Sequence, residues 1–494
     1  MDPLSGRSHY PQPEGPLRGH HTINPRRRLA PLLKPPNLIP LPNPLPASLN
    51  RTESFTSTHS LSVHVVPAAF PRAWGPTDRI VIPTPDSFPA GKEGKAQRVQ
   101  WMKDTAERIL WEKSEAEKVF PDLKAGIQVT EEGIWDAVLR IRRNTPAPKG
   151  TGITLMTLHP IGFHKELWEP ALKHLIELTE RPGSPINIDE IWAIDAVNHG
   201  DSALVNGVHI PKLPDRSDYG RDLANLLIHH LPEGRDAFGK DLPRVLARVP
   251  ESLAAARIAN GFTDRYVVAI GHSLGGDGTV MCGINYPRLF SAIVPVETTI
   301  FPPVNNRTEK KVKMIVAALS RRSSWPSREE AKKAFLRAPL FQAFDPAVLD
   351  AYVAHGLYDD PVTGEVRLKC PPACEGSEYT EVRTMMEAYE LLPTLDPAVE
   401  LRWMLGGRDD ASMLVGGRHI SQAVVWRRPE NASNVMIPGA GHLCVQEKPR
   451  EFAEDMALFL THKFSTLMTT SSPSAGTTNI RNSVSVQMHA HARL

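Results

Sequence analysis

The sequence predicts an α/β fold built on a mostly parallel central sheet with helices on both faces. One observation is that short β-branched and apolar runs alternate with amphipathic helical stretches between the two ends of the chain. The runs predicted to form strands are residues 153–158, 191–194, 266–270, 292–296, 401–405 and 434–437. Because parallel strands end at one edge of a sheet, we expect the reactive residues in the loops that follow these runs.

Length and composition are a second observation in favour of a large folded core. The chain has 494 residues, of which 41% are hydrophobic and 23% charged, and it contains no long apolar run of the kind that spans a membrane. Its 57 basic and 55 acidic residues leave a net charge of +2, which gives little field for nonspecific phosphate binding. We therefore expect a soluble protein with no membrane span and no nucleic-acid partner.

The cysteines indicate neither a disulfide framework nor a tetrahedral metal site. Cys282, Cys370, Cys374 and Cys444 do not form two close pairs along the chain. We interpret the spacing of Cys370 and Cys374 as loop packing. The expected protein is intracellular, holds no metal and needs no cofactor.

Composition divides the chain into five segments. Residues 1–60 are rich in proline, which removes backbone donors, so we expect a disordered N-terminal tail. Residues 61–297 should form the first part of the sheet domain, and residues 399–465 should complete it. Residues 298–398 separate two predicted strands and should form a helical cap inserted before the penultimate strand. Residues 466–494, rich in Ser, Thr and Asn, are predicted to be a flexible tail.

Several stretches outside the sheet are predicted to be helical. Residues 94–120 have the spacing of a long amphipathic helix, which we expect to pack on the outside of the sheet. Residues 328–337 and 345–356 should be helices of the cap, and residues 449–463 should follow the last strand as a helix. Apolar side chains of the cap are expected to give a dry wall for an acyl chain: Phe335, Leu336, Leu340, Phe341, Phe344, Leu349, Tyr352 and Leu357.

The sharpest chemical motif comes directly after the predicted strand at 266–270. Here Gly271-His272-Ser273-Leu274-Gly275 fits G-x-S-x-G between a strand and a small-residue helix. The glycines allow a sharp turn that lifts the Ser273 hydroxyl out of the sheet edge, so Ser273 is the predicted nucleophile. The amide of Leu274, at a helix N-terminus, is a predicted donor to a developing oxyanion.

A serine hydroxyl needs a base to become a good nucleophile, and His442 is the predicted base. It follows the last strand, as the chain order nucleophile, acid, histidine requires. The orienting acid stays open at this point. Asp409 follows the penultimate strand in a G-x-x-D arrangement, Glu297 ends the strand before the cap, and Asp410 is a third candidate.

The turn after the strand at 153–158 is expected to supply a second oxyanion donor. Because Pro160 has no N–H, the amide of Ile161 is the predicted donor. We interpret His159 as a brace for this turn. Asp195 and the turn at 200–202, after the next strand, are interpreted as scaffold for the sheet edge.

Taken together, these blocks resemble the alpha/beta-hydrolase superfamily, and within it the fungal group that contains the peroxisomal lipase of yeast and the peroxisomal hydrolases of AK-toxin biosynthesis. The segments that carry the resemblance are residues 159–170, 191–201, 271–276, 369–372 and 439–443. The resemblance implies a Ser-His-acid hydrolase with a helical cap and lipid-like or secondary-metabolite substrates. It also implies a carboxylate at the position of Glu297 and more variation around Asp409, which makes these two candidates equal.

The sequence therefore predicts a serine hydrolase that cleaves a carboxylic ester of an apolar substrate. Two alternatives stay open: an acyl-CoA thioesterase or acyltransferase with the same triad, and a non-catalytic scaffold whose proline-rich arm docks on aromatic-lined grooves. The ending Ala492-Arg493-Leu494 is a conservative variant of the Ser-Lys-Leu address. With the resemblance, it predicts recognition by the peroxisomal import receptor; the alternative location is the cytoplasm.

Overall fold

The computed structural model describes residues 7–15, 22–25, 28–72, 80–84, 87–119, 132–145, 152–233, 241–303 and 308–469. Its strands are β1 (Asn37–Leu38), β2 (Thr52–Ser54), β3 (His59–Pro67), β4 (Glu132–Gly133), β5 (Trp135–Arg143), β6 (Gly152–Leu158), β7 (Ile188–Ile194), β8 (Arg265–His272), β9 (Ala292–Val296), β10 (Ser324–Trp325), β11 (Leu357–Asp359), β12 (Val366–Leu368), β13 (Glu400–Gly406) and β14 (Ala432–Ile437).

The α-helices, in chain order, are α1 (Gly91–Val119), α2 (Glu169–Thr179), α3 (Gly200–Asn206), α4 (Arg216–Asn225), α5 (Glu251–Asn260), α6 (Leu274–Asn285), α7 (Thr308–Leu319), α8 (Arg328–Phe335), α9 (Pro339–Gln342), α10 (Pro346–His355), α11 (Pro372–Glu378), α12 (Arg383–Leu391), α13 (Arg418–Val425), α14 (Cys444–Glu447) and α15 (Pro449–Thr469). Among the described helices, none combines the length and the apolar character needed to cross a bilayer.

The core of the molecule is a nine-stranded sheet in the order β14-β13-β9-β8-β6-β7-β5-β3-β2. Neighbours from β14 to β7 are parallel, whereas β5, β3 and β2 continue the sheet antiparallel. The predicted strands are the parallel ones, and the prediction of a mostly parallel sheet is confirmed. The antiparallel strands were not predicted, because buried polar side chains such as Asp136 and Arg140 interrupt their apolar pattern.

Helices cover both faces of this sheet, as its buried strands require. Alternate residues of β6 show this directly: Ile153 and Leu155 belong to one hydrophobic core, and Met156 and Leu158 to another. Helices α2 and α15 pack on the first side, and α4 and α6 on the second. Burial of each such side chain contributes roughly 1.5–3 kcal/mol, so the parallel strands form a rigid platform for the loops at their ends.

The cap lies between β9 and β13, where it was predicted, and its described part contains α7 to α12 and the small antiparallel sheet β10-β12-β11. Most of the apolar cap residues that were predicted to wall the acyl site do not line the cavity. Most of them, including Phe335, Phe341 and Tyr352, are buried against one another inside the cap. Of the predicted set, Leu340 lines the cavity described below. The aromatic residues of the set do not, because a small cap needs them for its own core.

Helix α1 agrees closely with the predicted helix, but its packing partner differs from the expectation. Its buried face, with Met102, Ala106 and Ile109, contacts Ile315 and Leu319 of cap helix α7 instead of the outside of the sheet. Periodicity identifies the apolar face of a helix and leaves its partner undetermined, which explains the difference.

The described part of the first sixty residues differs from the expected disordered tail. Ile39, Leu49 and Phe55 are buried in the main core, and β2 pairs with β3 at the edge of the sheet. At the opposite edge, the Met436 amide of β14 donates to the Ser8 carbonyl at 2.7 Å. Proline excludes a regular helix, but an extended proline-rich chain keeps its carbonyls and apolar side chains, and here these dock on the sheet.

The predicted helix at 449–463 is present and longer, since α15 continues to Thr469. The first residues of the predicted C-terminal tail are therefore helical. Residues 470–494, and with them Ala492-Arg493-Leu494, lie outside the described residues.

Candidate active site

Ser273 lies in a strained turn between β8 and α6. Its backbone has φ 52° and ψ −113°, a left-handed conformation that is rare for a residue with a side chain. A Cβ on Gly271 would collide with Thr279 and with the Gly275 carbonyl, and a Cβ on Gly275 would collide with the Leu158 carbonyl. The glycines of the motif are thus required by close backbone packing, which presents the Ser273 side chain at the end of β8.

His442 contacts both Ser273 and Glu297. Its Nε2 lies 3.2 Å from the Ser273 Oγ, and its Nδ1 lies 3.1 Å from the Glu297 Oε2. An ionised carboxylate accepts hydrogen bonds only, so we assign the imidazole proton to Nδ1, which donates to Glu297. The lone pair of Nε2 then faces the Ser273 hydroxyl, as removal of its proton requires.

Glu297 is held in place from two sides. Its Oε1 accepts a hydrogen bond from the Gly406 amide at 2.6 Å, and its Oε2 faces His442. Its backbone also has a positive φ, of 41°. Burial raises the pKa of the Glu297 carboxyl, while the hydrogen bond from His442 acts in the opposite direction. The carboxylate is therefore withdrawn from water and directed at the imidazole.

The aspartates considered as alternative acids bond to arginines and not to His442, although Asp410 lines the same cavity. The Asp409 side chain is 94% exposed and lies 2.5 Å from Arg418, and Asp410 bonds to Arg408 at 2.9 Å. Both ring nitrogens of His442 already have partners. The structure thus brings Glu297, and neither aspartate, to the imidazole, which corrects the equal weight given to Asp409. A loop pattern such as G-x-x-D fixes where a carboxylate occurs in the sequence, but not which way its loop folds.

One predicted oxyanion donor directly follows Ser273 in the chain, and the other lines the cavity into which Ser273 opens. Leu274 is the first residue of α6, where an N–H has no intrahelical acceptor, and Ile161 lines the same cavity as Ser273. Pro160 has no N–H. The other N–H groups of the turn at 159–163 are bonded: His159 to Tyr219 Oη, Gly162 to His199 Nε2 and Phe163 to the Pro160 carbonyl. In the turn as described, Ile161 therefore has the N–H that remains available.

His159 has the contacts of a brace. Its Nδ1 donates to the Pro160 carbonyl at 2.8 Å, and its Nε2 accepts from the Ala196 amide at 3.0 Å. Burial lowers the pKa of His159 to about 3, so the ring stays neutral at physiological pH. These contacts support the brace interpretation and give His159 no path to a substrate proton.

A buried cluster of charges lies behind the oxyanion turn. Lys165 Nζ bonds to Asp195 at 2.8 Å and to Asp201 at 2.6 Å, and Asp195 also accepts from the amides of Lys165 and Asp201. Lys369, from the cap, reaches Asp201 at 2.5 Å. Asp195 and Asp201 thus serve as scaffold, as interpreted. The two lysines were missed, although both lie in segments that carry the family resemblance.

A cavity of about 530 Å³ opens over Ser273 and His442, between the sheet edge and the cap. Much of its wall is apolar: Pro160, Ile161, Phe163, Phe301, Met314, Leu340, Met385 and Leu443. The polar side chains of its wall include Lys310, Lys311, Arg321 and Glu375 from the cap. The cavity has the size of a small-molecule site, and an apolar chain in it would lie directly against the Ser273 hydroxyl.

Comparison with known proteins gives the same fold and a family of hydrolases. The model of the alpha/beta hydrolase family matches residues 155–455. An abhydrolase domain-containing protein of Alternaria alternata, ACTT2-1, is 30% identical over 219 residues, which are 39% of this chain and 81% of that protein.

A second relative is the type I acyl-CoA thioesterase mpaH of Penicillium brevicompactum, 29% identical over 232 residues. That match covers 45% of this chain and 46% of the thioesterase, so the chain spans about half the length of this relative. Among solved structures, the peroxisomal alpha-beta-hydrolase Lpx1 of Saccharomyces cerevisiae superposes with a TM-score of 0.58 at 17% identity, covering 86% of this chain and 94% of that one.

Proposed function

The chain belongs to the alpha/beta hydrolase family, and from this premise we propose that it is a serine hydrolase that cleaves a carboxylic ester of an apolar acyl group. The observation that carries the proposal is the unbroken chain of contacts from Glu297 through His442 to Ser273, at the floor of a largely apolar cavity. A nucleophile, a base and an orienting acid in this arrangement are the working parts of acyl transfer through a serine.

In the first half of the proposed reaction, His442 Nε2 takes the proton of the Ser273 hydroxyl while Oγ attacks the substrate carbonyl carbon. The carbonyl oxygen becomes an oxyanion, and the amides of Ile161 and Leu274 stabilise it. Glu297 stabilises the imidazolium through Nδ1. His442 then gives its proton to the leaving alcohol, the ester bond breaks and the acyl group stays on Ser273.

The second half of the reaction repeats these steps with water. His442 removes a proton from a water molecule, whose oxygen attacks the acyl carbon and forms a second oxyanion at the same donors. The bond to Ser273 Oγ breaks, the serine oxygen takes the proton from His442, and the carboxylic acid leaves. Every proton in this scheme passes through one imidazole nitrogen.

A fluorophosphonate probe tests the proposal, because it reacts with activated serines only. We expect the wild-type protein to be labelled and Ser273→Ala to remain unlabelled. A series of p-nitrophenyl esters of increasing chain length should then show a rise in kcat/KM until the cavity is filled. Absence of both labelling and turnover in the wild-type protein would favour the non-catalytic scaffold.

The second candidate function is hydrolysis of an acyl-CoA thioester by the same triad. Lys310 and Lys311 of α7 line the cavity next to its apolar wall, together with Arg321, which is paired with Glu375. Two lysines beside an apolar site suit a leaving group that carries phosphates. A type I acyl-CoA thioesterase is among the proteins to which the chain is similar. Measurement of free thiol release from acyl-CoA, with matched p-nitrophenyl esters as competitors, separates the two candidates. Product analysis with an added alcohol would reveal acyl transfer.

We also propose delivery to peroxisomes through Ala492-Arg493-Leu494, on the strength of the tripeptide itself. A fluorescent reporter carrying residues 465–494 at its C-terminus should collect in peroxisomes. The matched reporter with Leu494→Asp should stay in the cytosol. Diffuse signal from both reporters would refute this targeting.

A further inference from the structure

A chain of buried hydrogen bonds connects the oxyanion turn with the cap. The Gly162 amide donates to His199 Nε2 at 2.9 Å, and His199 Nδ1 lies 2.6 Å from Asn198 Oδ1. The Asn198 side-chain amide then donates to Glu378 Oε1 at 2.6 Å. His199, Asn198 and Glu378 are all buried, and none of them takes part in the proposed reaction steps.

One group fixes the direction of every hydrogen bond in this chain. The Gly162 amide can only donate, so His199 Nε2 must accept, and the ring proton must be on Nδ1. That proton requires the Asn198 carbonyl oxygen as its acceptor, which turns the Asn198 NH₂ group towards Glu378. Burial holds the pKa of His199 well below its ordinary value and keeps the ring neutral, as this arrangement needs.

The cap end of this series of hydrogen bonds also connects to α6, the helix that follows Ser273. Glu378 is the last residue of α11, and its carbonyl accepts from Arg216 Nη2 at 3.3 Å. Arg216 Nη1 donates in turn to Asp277 at 2.9 Å. Asp277 lies in the first turn of α6, the helix that begins directly after Ser273. Both sources of oxyanion donors, the turn with Ile161 and the start of α6, are therefore connected to the same cap helix.

We propose that Glu378 is a positioning residue of the oxyanion hole: through Asn198 and His199 it holds the turn at 159–163 so that the Ile161 N–H faces the reacting carbonyl. The seating of the cap over the cavity would thereby control how well the transition state is stabilised. This inference rests on the proposed function for its catalytic consequence. Its structural content, a turn held from the cap, stands on the hydrogen bonds alone.

The test uses variants that remove or retain a single acceptor. Glu378→Met has a similar volume and no acceptor, whereas Glu378→Gln keeps an oxygen for Asn198. Asn198→Ala breaks the chain one step nearer to the turn. Because a misplaced catalytic group can lose up to about a hundredfold in rate, we expect kcat of Glu378→Met and of Asn198→Ala to fall between about tenfold and a hundredfold, with KM within about threefold. Glu378→Gln should retain most of kcat.

A double variant tests whether the residues act as one chain. If they do, Glu378→Met combined with Asn198→Ala should lose no more than the worse single variant, since both break the same connection. The inhibition constant of a trifluoromethyl ketone, which forms a tetrahedral oxyanion on serine, should rise in parallel with the loss of kcat. Additive losses, a loss confined to KM, or equal losses in Glu378→Gln and Glu378→Met would overturn the proposal.

Hydrogen exchange provides a readout that does not depend on turnover. In peptides that cover the turn at 159–163, Glu378→Met and Asn198→Ala should exchange faster than the wild-type protein, and Glu378→Gln should not. An inactive wild-type protein with this exchange pattern would refute the proposed function and leave the positioning of the turn supported. An active protein with unchanged exchange in all variants would refute the positioning. Should Glu378→Met fail to fold, as judged by its melting curve, Asn198→Ala decides the question.

Discussion

Two groups of buried polar residues lie at the carboxyl edge of the sheet, and they differ in whether they are closed. Lys165, Asp195 and Asp201 have fully buried side chains, and their charges face one another. The His442 side chain, by contrast, is 19% exposed and lines the cavity, although Glu297 behind it is buried. A closed group stabilises the fold, whereas a group with one open side can meet a substrate. From this comparison we expect a polar residue after a strand to take part in chemistry only when one side of it faces a cavity.

The largest expected effect comes from removal of the Ser273 hydroxyl, at the cavity end of the group formed by Ser273, His442 and Glu297. Ser273→Ala eliminates the nucleophile, and we expect kcat for the best ester to fall by about 10⁶. The thermal midpoint should stay close to that of the wild-type protein, because the replaced hydroxyl forms a hydrogen bond with His442 and with no other described side chain. Steady-state kinetics and a melting curve on the same preparation check both statements. Turnover within tenfold of wild type would contradict the assignment of the nucleophile.

A second prediction separates the two acids that the sequence left equal. Glu297→Gln preserves the shape of the side chain but no longer holds the productive imidazole tautomer, and kcat should fall by about 10⁴. Asp409→Asn is the matched control, with the same chemical change on an exposed carboxylate, and its kcat should stay within about twofold of wild type. The reverse ranking of the two variants would show that Asp409 orients His442 in the working enzyme.

The third prediction concerns the buried group of Lys165, Asp195 and Asp201. Lys165→Met leaves Asp195 and Asp201 buried with less compensating charge, which should lower the free energy of unfolding by about 3–5 kcal/mol. Lys332→Met removes one partner of the exposed pair with Asp350 and should cost less than about 1 kcal/mol. Urea denaturation measures both variants. Equal free energies of unfolding for the two variants would mean that the buried cluster does not stabilise the fold.

The smallest effect concerns two neighbouring histidines. His272, one residue before Ser273, donates from Nε2 to the His442 carbonyl at 2.9 Å, and burial lowers its pKa to about 3. In the unfolded chain the His272 ring takes up a second proton near pH 6.5, whereas the folded ring does so only near pH 3. His272 therefore contributes stability above pH 6.5 that is lost as the pH falls towards 3. His272→Gln retains a donor and cannot titrate.

Denaturation curves between pH 6.5 and 4.5 measure this contribution. Over that range the stability of His272→Gln should fall less steeply than that of the wild-type protein, by about 1 kcal/mol per pH unit. Identical slopes for the two proteins would show that the His272 ring is protonated in the folded state.

The sequence predicts those parts of the candidate site that depend on local geometry. Ser273 was predicted because its turn requires glycines at fixed positions, and His442 because it follows the last parallel strand. The acid could not be chosen, since Asp409 and Glu297 both follow strands, and the direction of their loops depends on contacts such as Gly406 with Glu297. The amide of Ile161 was predicted as a donor from the missing N–H of Pro160, and it stays a prediction.

What the sequence could not predict depends on partners that are distant along the chain. The antiparallel strand β5 escaped notice because Arg140 reads as exposed until Glu190 is placed beside it at 2.5 Å. Helix α1 was recognised, but not its contact with the cap. The docking of Ser8 and Ile39 on the sheet was missed because proline content describes the backbone and not the surface that the chain meets.

The central claim is that His442 activates Ser273, and the rate of fluorophosphonate labelling measures this most directly. Labelled protein should be digested and the adduct mapped by mass spectrometry for the wild-type protein, His442→Ala and Asp409→Asn. We expect the adduct on Ser273, formed at the same rate in the wild-type protein and in Asp409→Asn, and slowed by at least about a hundredfold in His442→Ala. Labelling of His442→Ala at the wild-type rate, or an adduct on another serine, would contradict the account.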